Sequence, residues 1–246
     1  MRWTWLVLVS LWLLLKSASY AKADEVVKIL PPTSQRVENG EGTVYLVGTK
    51  NKDVPHYEII EYCNGCETVE AETGGFFQIA EGQGNLGPNS FATFSIHAQA
   101  MGAMISKATI GPLTVHHRLE VIWQPGEEGA PEPRQGLTIH FTHYVDACVE
   151  TFGIGAEKLI GTAKGKANAY TCSPAGFLEV VSESQCSGIG TNADPQGKKA
   201  TLTLRGVKSG WSGYLDAVVS GSVTATLGGY SNASATAQVS WQAELP

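Results

Sequence analysis

Six histidines are the residues whose type and spacing come closest to a catalytic or metal-binding set. A zinc or iron site on a β-scaffold needs ligands on one face, often two histidines separated by one residue. No such pair occurs, but His117 and His143 meet on one apolar face if the strand-like segments on either side of Gln124–Gly136 form a hairpin. They are therefore the candidate metal ligands. Histidines that pack in the core or lie on the surface are the favoured interpretation, and no cofactor is expected.

A second candidate is the segment Cys63-Asn64-Gly65-Cys66. Asn-Gly between two strand-like runs favours a type I′ hairpin, which brings the two cysteines within reach of a disulfide. A thioredoxin-like redox pair needs a depressed thiol pKa, whereas the neighbouring Glu61 and Glu67 raise it. The sequence therefore predicts a structural clasp.

The remaining three cysteines leave an odd number in the chain. A bridge between Cys172 and Cys186 is the preferred second disulfide, which leaves Cys148 over. The zinc alternative requires two close cysteine pairs, and the separation between Cys172 and Cys186 is too long for one.

Motifs for hydrolytic chemistry are incomplete. The segment Gly210–Tyr214 resembles a nucleophile elbow but lacks its final glycine. Acidic residues are plentiful, and none forms a distinct pair for glycoside hydrolysis. No catalytic residue is therefore predicted, and a jelly-roll enzyme that depends on a metal or on carboxylates is kept as an alternative function.

The most binding-like segment is Lys208–Asp216, in which Trp211, Tyr214 and Asp216 lie among glycine and serine. Flat rings at the end of a sheet can bind a glycan or a protein surface. The alternative is that Trp211 folds back into the core. The predicted function is a non-catalytic binding or structural module with an unidentified surface ligand.

Residues 1–23 have the form of a secretory signal peptide. Arg2 precedes the apolar run Trp3–Leu15, and Ala21-Lys22-Ala23 supplies small residues before Asp24. As a helix that run rises only about 20 Å, short of the ~30 Å bilayer core. We expect cleavage, a single secreted or periplasmic domain over residues 24–246, and no membrane partner afterwards.

The charge of the chain narrows the classes of partner. It has 17 Lys and Arg against 23 Asp and Glu, a net charge of −6. Nucleic-acid affinity depends on basic residues that neutralise phosphates, so no nucleic-acid partner is expected. A polybasic membrane-surface module is disfavoured for the same reason.

The elements that must position these residues follow a period of two. From Ala233 to Leu245 every odd residue is apolar and every even residue is polar, which predicts a strand with one wet face. Val219–Leu227 alternates in the same way, and the Gly-Gly connection between the two predicts a hairpin. The side chains expected in the core from this hairpin are Val223, Leu227, Val239, Trp241 and Leu245.

Further alternating runs punctuated by glycine and proline predict an all-β chain. They include Phe91–Ala100, Leu113–Trp123, Leu137–Val149 and Thr162–Thr171, whereas Gln99–Ala108 is the one segment with helical character. An antiparallel β-sandwich, jelly-roll-like and with little or no helix, is the predicted fold. A small outer-membrane barrel is the other architecture that such alternation allows.

Overall fold

The period-two pattern becomes fourteen strands in the described part of the chain. The structure is a computed structural model that describes residues 27–29, 42–64, 75–103, 106–153, 155–156, 159–187 and 190–246. Across these ranges there is no helix of the length and apolarity that a membrane crossing requires. The strands are β1 (Val27–Ile29), β2 (Thr43–Val47), β3 (His56–Asn64), β4 (Gly75–Asn85), β5 (Ser90–Ala103), β6 (Ser106–Gln124), β7 (Leu137–Gly153), β8 (Gly155–Ala156), β9 (Leu159–Ile160), β10 (Thr162–Ser173), β11 (Gly176–Ser187), β12 (Gly190–Val207), β13 (Ser212–Ala225) and β14 (Gly229–Glu244).

Twelve of these strands form two six-stranded sheets. Sheet A has the order β1-β4-β5-β14-β7-β12, and sheet B has the order β11-β10-β13-β6-β3-β2. All neighbours are antiparallel except β1 and β4, which are parallel. The sheets pack face to face, with β13 and β10 against β14 and β7. The prediction of an antiparallel β-sandwich is confirmed, and Gln99–Ala108, where it is described, is strand rather than helix.

The interior is formed by the odd-numbered residues of the central strands. Burial alternates along β7, β13 and β14, as expected when successive side chains point to opposite faces. Alanine is frequent on the inner faces, and at Gly165 of β10 the space is tighter still. An added Cβ there would lie 2.6 Å from Val149 Cγ1 of sheet A. Small residues therefore allow the two sheets to approach closely.

Two connections between strands differ from the predictions. β13 and β14 are not a hairpin, because β13 pairs with β10 and β6 whereas β14 pairs with β5 and β7. β6 and β7 are likewise in different sheets, and the loop 125–136 crosses from one to the other. Each connection satisfies the same burial pattern as a hairpin, since the apolar faces of the two sheets point toward each other.

The glycines after β13 allow the backbone there to pass close to the backbone at the start of β10. A Cβ on Gly229 would lie 2.3 Å from the carbonyl oxygen of Thr162, and Thr226 N donates to that same oxygen at 2.9 Å. Of the five core residues predicted from these strands, Val223, Val239 and Trp241 are buried. The prediction that Leu227 and Leu245 lie in the core is wrong, because both residues lie beyond the strand ends and are 46% and 41% exposed.

The edges of the sheets are partly covered by polar side chains. At one edge Ser184 Oγ donates to Asn192 O at 3.2 Å, and Lys198 Nζ donates to Glu179 O at 2.9 Å, which links β11 to β12. At the other edge Ser90 Oγ donates to Leu46 O of β2 at 2.6 Å. Such contacts satisfy backbone groups that an open edge would offer to another chain.

Candidate functional site

Two of the three predicted binding residues meet a histidine on the outer face of sheet B. Asp216 of β13 is the register partner of His116 of β6, and their side chains pair through Oδ1 and Nδ1. The ring of Tyr214 stacks on the His116 ring, with centroids 4.8 Å apart and an interplanar angle of 20°. Tyr214 is 51% exposed. We call His116, Arg118, Tyr214 and Asp216 the Tyr214 cluster.

Arg118 extends the cluster toward β3. It is the register partner of both Tyr214 and Tyr62. Its guanidinium lies 5.2 Å from the centroid of the Tyr62 ring, and Nη2 donates to Glu120 Oε2 at 2.6 Å. The guanidinium of Arg118 therefore lies over the Tyr62 ring in a cation–π contact at this edge of the cluster.

On the other side the cluster continues across β10 to β11. Phe177, Cys172, Asp216 and His116 are successive register partners, so they form one row across four strands. At about 4.8 Å between strands the row spans roughly 14 Å. Phe177 is 66% exposed. The row therefore places an exposed aromatic ring at its β11 end and the paired side chains of Asp216 and His116 at its β6 end.

Tyr170 lies next to this row, with its ring centroid 6.3 Å from that of Phe177. Its hydrogen bond with Cys172 and its burial, together with the charges of Cys172, Asp216 and Glu179, raise the pKa of Tyr170 to about 12. The phenol is thus neutral at physiological pH and can serve as a hydrogen-bonding group.

Trp211 is separate from the cluster. It is half-buried and packs against the hydrophobic core, where its ring would lie 2.7 Å from a Cβ placed on Gly213. Its backbone N donates to Lys208 O at 3.1 Å, and its carbonyl accepts from Val121 N at 2.9 Å. The loop that carries Trp211 is therefore fastened to β6, with the indole turned toward the core.

His143 is fully buried between the sheets. Nδ1 lies 2.9 Å from Thr171 Oγ1 and Nε2 lies 2.9 Å from Ser173 Oγ, both of β10. Burial lowers the pKa of the imidazole. Two hydroxyls thus satisfy both ring nitrogens of a neutral histidine inside the core.

His117 is buried in sheet B beside an acid. Nδ1 lies 2.9 Å from Glu61 Oε1, and Tyr45 OH donates to Glu61 Oε2 at 3.1 Å. Burial, followed by the charge of Glu61 and the hydrogen bond to it, raises the pKa of Tyr45 well above its usual range. Side chains from β2, β3 and β6 thus form a buried polar network.

The structure does not bring His117 and His143 together as metal ligands. They belong to different sheets, so the hairpin that would have placed them opposite each other is wrong. Among the described residues there is no group of three or more His, Cys, Asp or Glu that could hold a metal ion. Each of the two histidines has the protein contacts given above.

The predicted Cys172–Cys186 disulfide is wrong. In the β10–β11 pair, Cys172 lies opposite Phe177 and Cys186 lies opposite Ala163. Residues 163 and 172 are separated by about 30 Å along β10, far beyond the reach of a disulfide.

The other cysteines are Cys63, Cys66 and Cys148. For the Cys63–Cys66 clasp, Gly65 of the turn and Cys66 lie outside the described residues. Burial raises the pKa of the Cys148 thiol, as do the charges of Glu150, Asp146 and Asp194, which makes this cysteine a poor nucleophile.

Sequence reasoning missed His116, Arg118, Tyr170 and Phe177 as members of the surface. The adjacency of His116 to His117 did indicate that they face opposite sides, and this is the signal that could have placed His116 outside. The contacts of His116 with Tyr214 and Asp216 of β13 could not be predicted in this way, because they depend on the pairing of strands that are distant in sequence.

Comparison with known proteins gives no match, since no family model fits the sequence and no curated protein or solved structure is similar to it. The fold defines an all-β sandwich, and the chemistry of its surfaces is the basis for any functional argument.

Proposed function

We propose that this chain is an exported, non-catalytic carbohydrate-binding module of the periplasm, cell envelope or extracellular space. The Tyr214 cluster is its ligand surface. The proposal is carried by the half-exposed ring of Tyr214, which stacks on an imidazole that is itself paired with a carboxylate. The signal-peptide pattern of residues 1–23 supports export.

The chemistry of the cluster matches that of a sugar ring. A pyranose has an apolar C–H face and a rim of hydroxyls. An aromatic side chain packs against the first, and charged groups make the stronger hydrogen bonds to the second. Asp216 is an acceptor two residues along β13 from Tyr214, and Arg118 is a donor opposite Tyr214 on β6; their side chains are 32% and 40% exposed. Apolar and polar contacts are thus available on one open sheet face.

The principal alternative ligand is a protein surface. Stable protein interfaces bury about 800 Å² on each partner around a dehydrated core of aromatic and apolar side chains. At the centre of the Tyr214 cluster is a partly exposed polar pair, the imidazole of His116 with the carboxylate of Asp216. Such a centre suits a small hydroxylated ligand better than a dry interface.

Affinity electrophoresis of the mature protein through gels that contain soluble polysaccharides tests the proposal. We expect at least one polysaccharide to retard the wild-type protein. Tyr214→Ala should weaken that binding about tenfold, because an aromatic stacking contact and its buried area contribute on the order of 1.4 kcal/mol.

Tyr144→Ala is the matched control. Tyr144 is also a partly exposed tyrosine in a central strand, but it lies on the outer face of sheet A. The proposal fails if no polysaccharide retards the protein, or if the two variants bind alike. If the protein binds a protein partner through Tyr214 and binds no glycan, the Tyr214 cluster is a protein-binding surface and the carbohydrate proposal is wrong.

A further inference from the structure

A groove of about 480 Å³ lies at the opposite end of the strands that carry the Tyr214 cluster. β10, β11 and β13 contribute most of its walls, and Asn192 of β12 reaches it from the neighbouring sheet. Hydroxyl, amide and ammonium groups predominate in the lining. The polar and charged residues are Lys164, Lys166, Glu183, Ser184, Gln185, Asn192, Ser222 and Thr224.

The groove is locally basic on a chain that is acidic as a whole. Lys164 and Lys107 are the register partners of Thr224 from its two sides, so both lysines flank this end of β13. Neither has an acid within ion-pair distance in the described ranges, whereas Lys166 pairs with Glu183 at 2.5 Å. Two lysine charges are therefore left for a ligand.

The neutral groups of the groove complement these charges. Ser222 and Thr224 present hydroxyls from β13, and Gln185 presents an amide from β11. A carboxylate or sulfate group can accept from a lysine while the hydroxyls and amides bind the neighbouring sugar hydroxyls. The lining therefore favours an oxyanion carried on a hydroxylated ligand.

The groove and the Tyr214 cluster lie on one face. Tyr214 and Thr224 are both even-numbered residues of β13, whose odd-numbered residues are buried. Ten residues of strand separate them by about 33 Å. A single ligand that contacts both sites must therefore be an extended chain, which one sugar ring is not.

From this alignment we propose that the outer face of sheet B binds an acidic polysaccharide along β10 and β13. Sugar rings contact the Tyr214 cluster, and carboxylate or sulfate groups of the same chain occupy the Thr224 end of the groove, between Lys164 in its lining and Lys107 beside it. This inference rests on the proposed carbohydrate-binding function and specifies the class of glycan.

Matched pairs of polymers test it by affinity electrophoresis at low salt. Polygalacturonate is compared with its methyl ester, and dextran sulfate with dextran. At least one acidic member should retard the protein more than its neutral counterpart, and the difference should shrink in 0.5 M NaCl, where the Debye length is only a few ångströms.

The double variant Lys107→Gln/Lys164→Gln should lower affinity for the acidic polymer about fivefold, because each exposed ion pair contributes modestly. It should leave binding of the neutral polymer unchanged. Lys50→Gln/Lys52→Gln removes the same charge from an exposed loop between β2 and β3 and should have little effect.

Equal retardation by both members of each pair overturns the inference, as does an equal loss in the two double variants. If only neutral polymers bind, and do so through Tyr214, the proposed function stands and the inference fails. If no polymer binds, both fail. Inorganic sulfate at millimolar concentration should not compete, and competition would indicate a site for a free anion.

Discussion

Trp241 is the side chain whose removal most directly tests the sandwich core. It is 1% exposed, and its ring meets that of Tyr45 at 5.1 Å in an edge-to-face arrangement, so it connects β14 of sheet A to β2 of sheet B. Trp241→Ala removes both the buried volume and this aromatic contact. We expect a loss of about 3–5 kcal/mol in the free energy of unfolding, a large share of the ~5–15 kcal/mol typical of a domain.

The indole nitrogen of Trp241 allows a second prediction, for the variant Trp241→Phe. Trp241 Nε1 is buried and has no hydrogen-bond partner among the described residues. Trp241→Phe loses volume but also removes a buried donor whose dehydration costs about 1–3 kcal/mol. The two terms oppose each other, so we expect this variant to remain within about 1.5 kcal/mol of the wild type.

Urea unfolding of the wild type and three variants measures these differences. Gln242→Ala is the control, because Gln242 is the next residue of β14 and points to solvent, so its loss should be nearly neutral. The slope of unfolding free energy against urea should be the same in all four proteins. Equal stability of Trp241→Ala and Gln242→Ala would refute the assignment of inner and outer faces, and an equally large loss in Trp241→Phe would refute the argument about the indole nitrogen.

Two further predictions concern the interior. Because burial lowers the pKa of His143, the unfolded chain takes up a proton below about pH 6.5 before the folded chain does. Stability is therefore full above that pH and should fall by up to about 1.4 kcal/mol per pH unit as the pH drops toward the folded-state pKa. Urea unfolding between pH 8 and 5 should show this slope, and it should flatten in His143→Gln; an unchanged slope would contradict the assignment. Gly165→Ala should cost about 1–3 kcal/mol by forcing the sheets apart, whereas Gly197→Ala at the exposed edge strand should be almost neutral in the same assay.

The elements of the fold were predictable because side-chain alternation is a local property. Leu137–Val149 and Thr162–Thr171 were predicted from their pattern and correspond to β7 and β10. The pattern reports which face of a strand is buried, and in a sandwich that face points inward whichever sheet the strand joins. For these strands, strand identity followed from the sequence and sheet membership did not.

The Gly228-Gly229 connection illustrates the ambiguity. Glycine permits a tight turn, and it also permits two backbones to approach closely. Here the second property is used, because Gly229 lies against the backbone of Thr162 at the start of β10. A sequence that records only the glycine does not distinguish the two uses.

In the candidate site too, residues of one local segment were predictable, and residues brought in by long-range strand pairing were not. Tyr214 and Asp216 were found from sequence because both lie in one short segment with a distinctive composition. His116, the residue that connects them, lies a hundred positions away from Asp216 and joins them only through the pairing of β6 with β13. The groove at the opposite end of β10 and β13, with Lys164 in its lining and Lys107 beside it, depends on the same long-range register and was missed entirely.

A map of amide chemical shifts, recorded on titration with a polysaccharide that retards the protein, tests whether the outer face of sheet B is the ligand surface. We expect perturbations centred on His116, Tyr214 and Asp216 that continue along β10 and β13 toward Lys164. Perturbations confined to the outer face of sheet A around Tyr144, or the absence of any, would contradict this expectation.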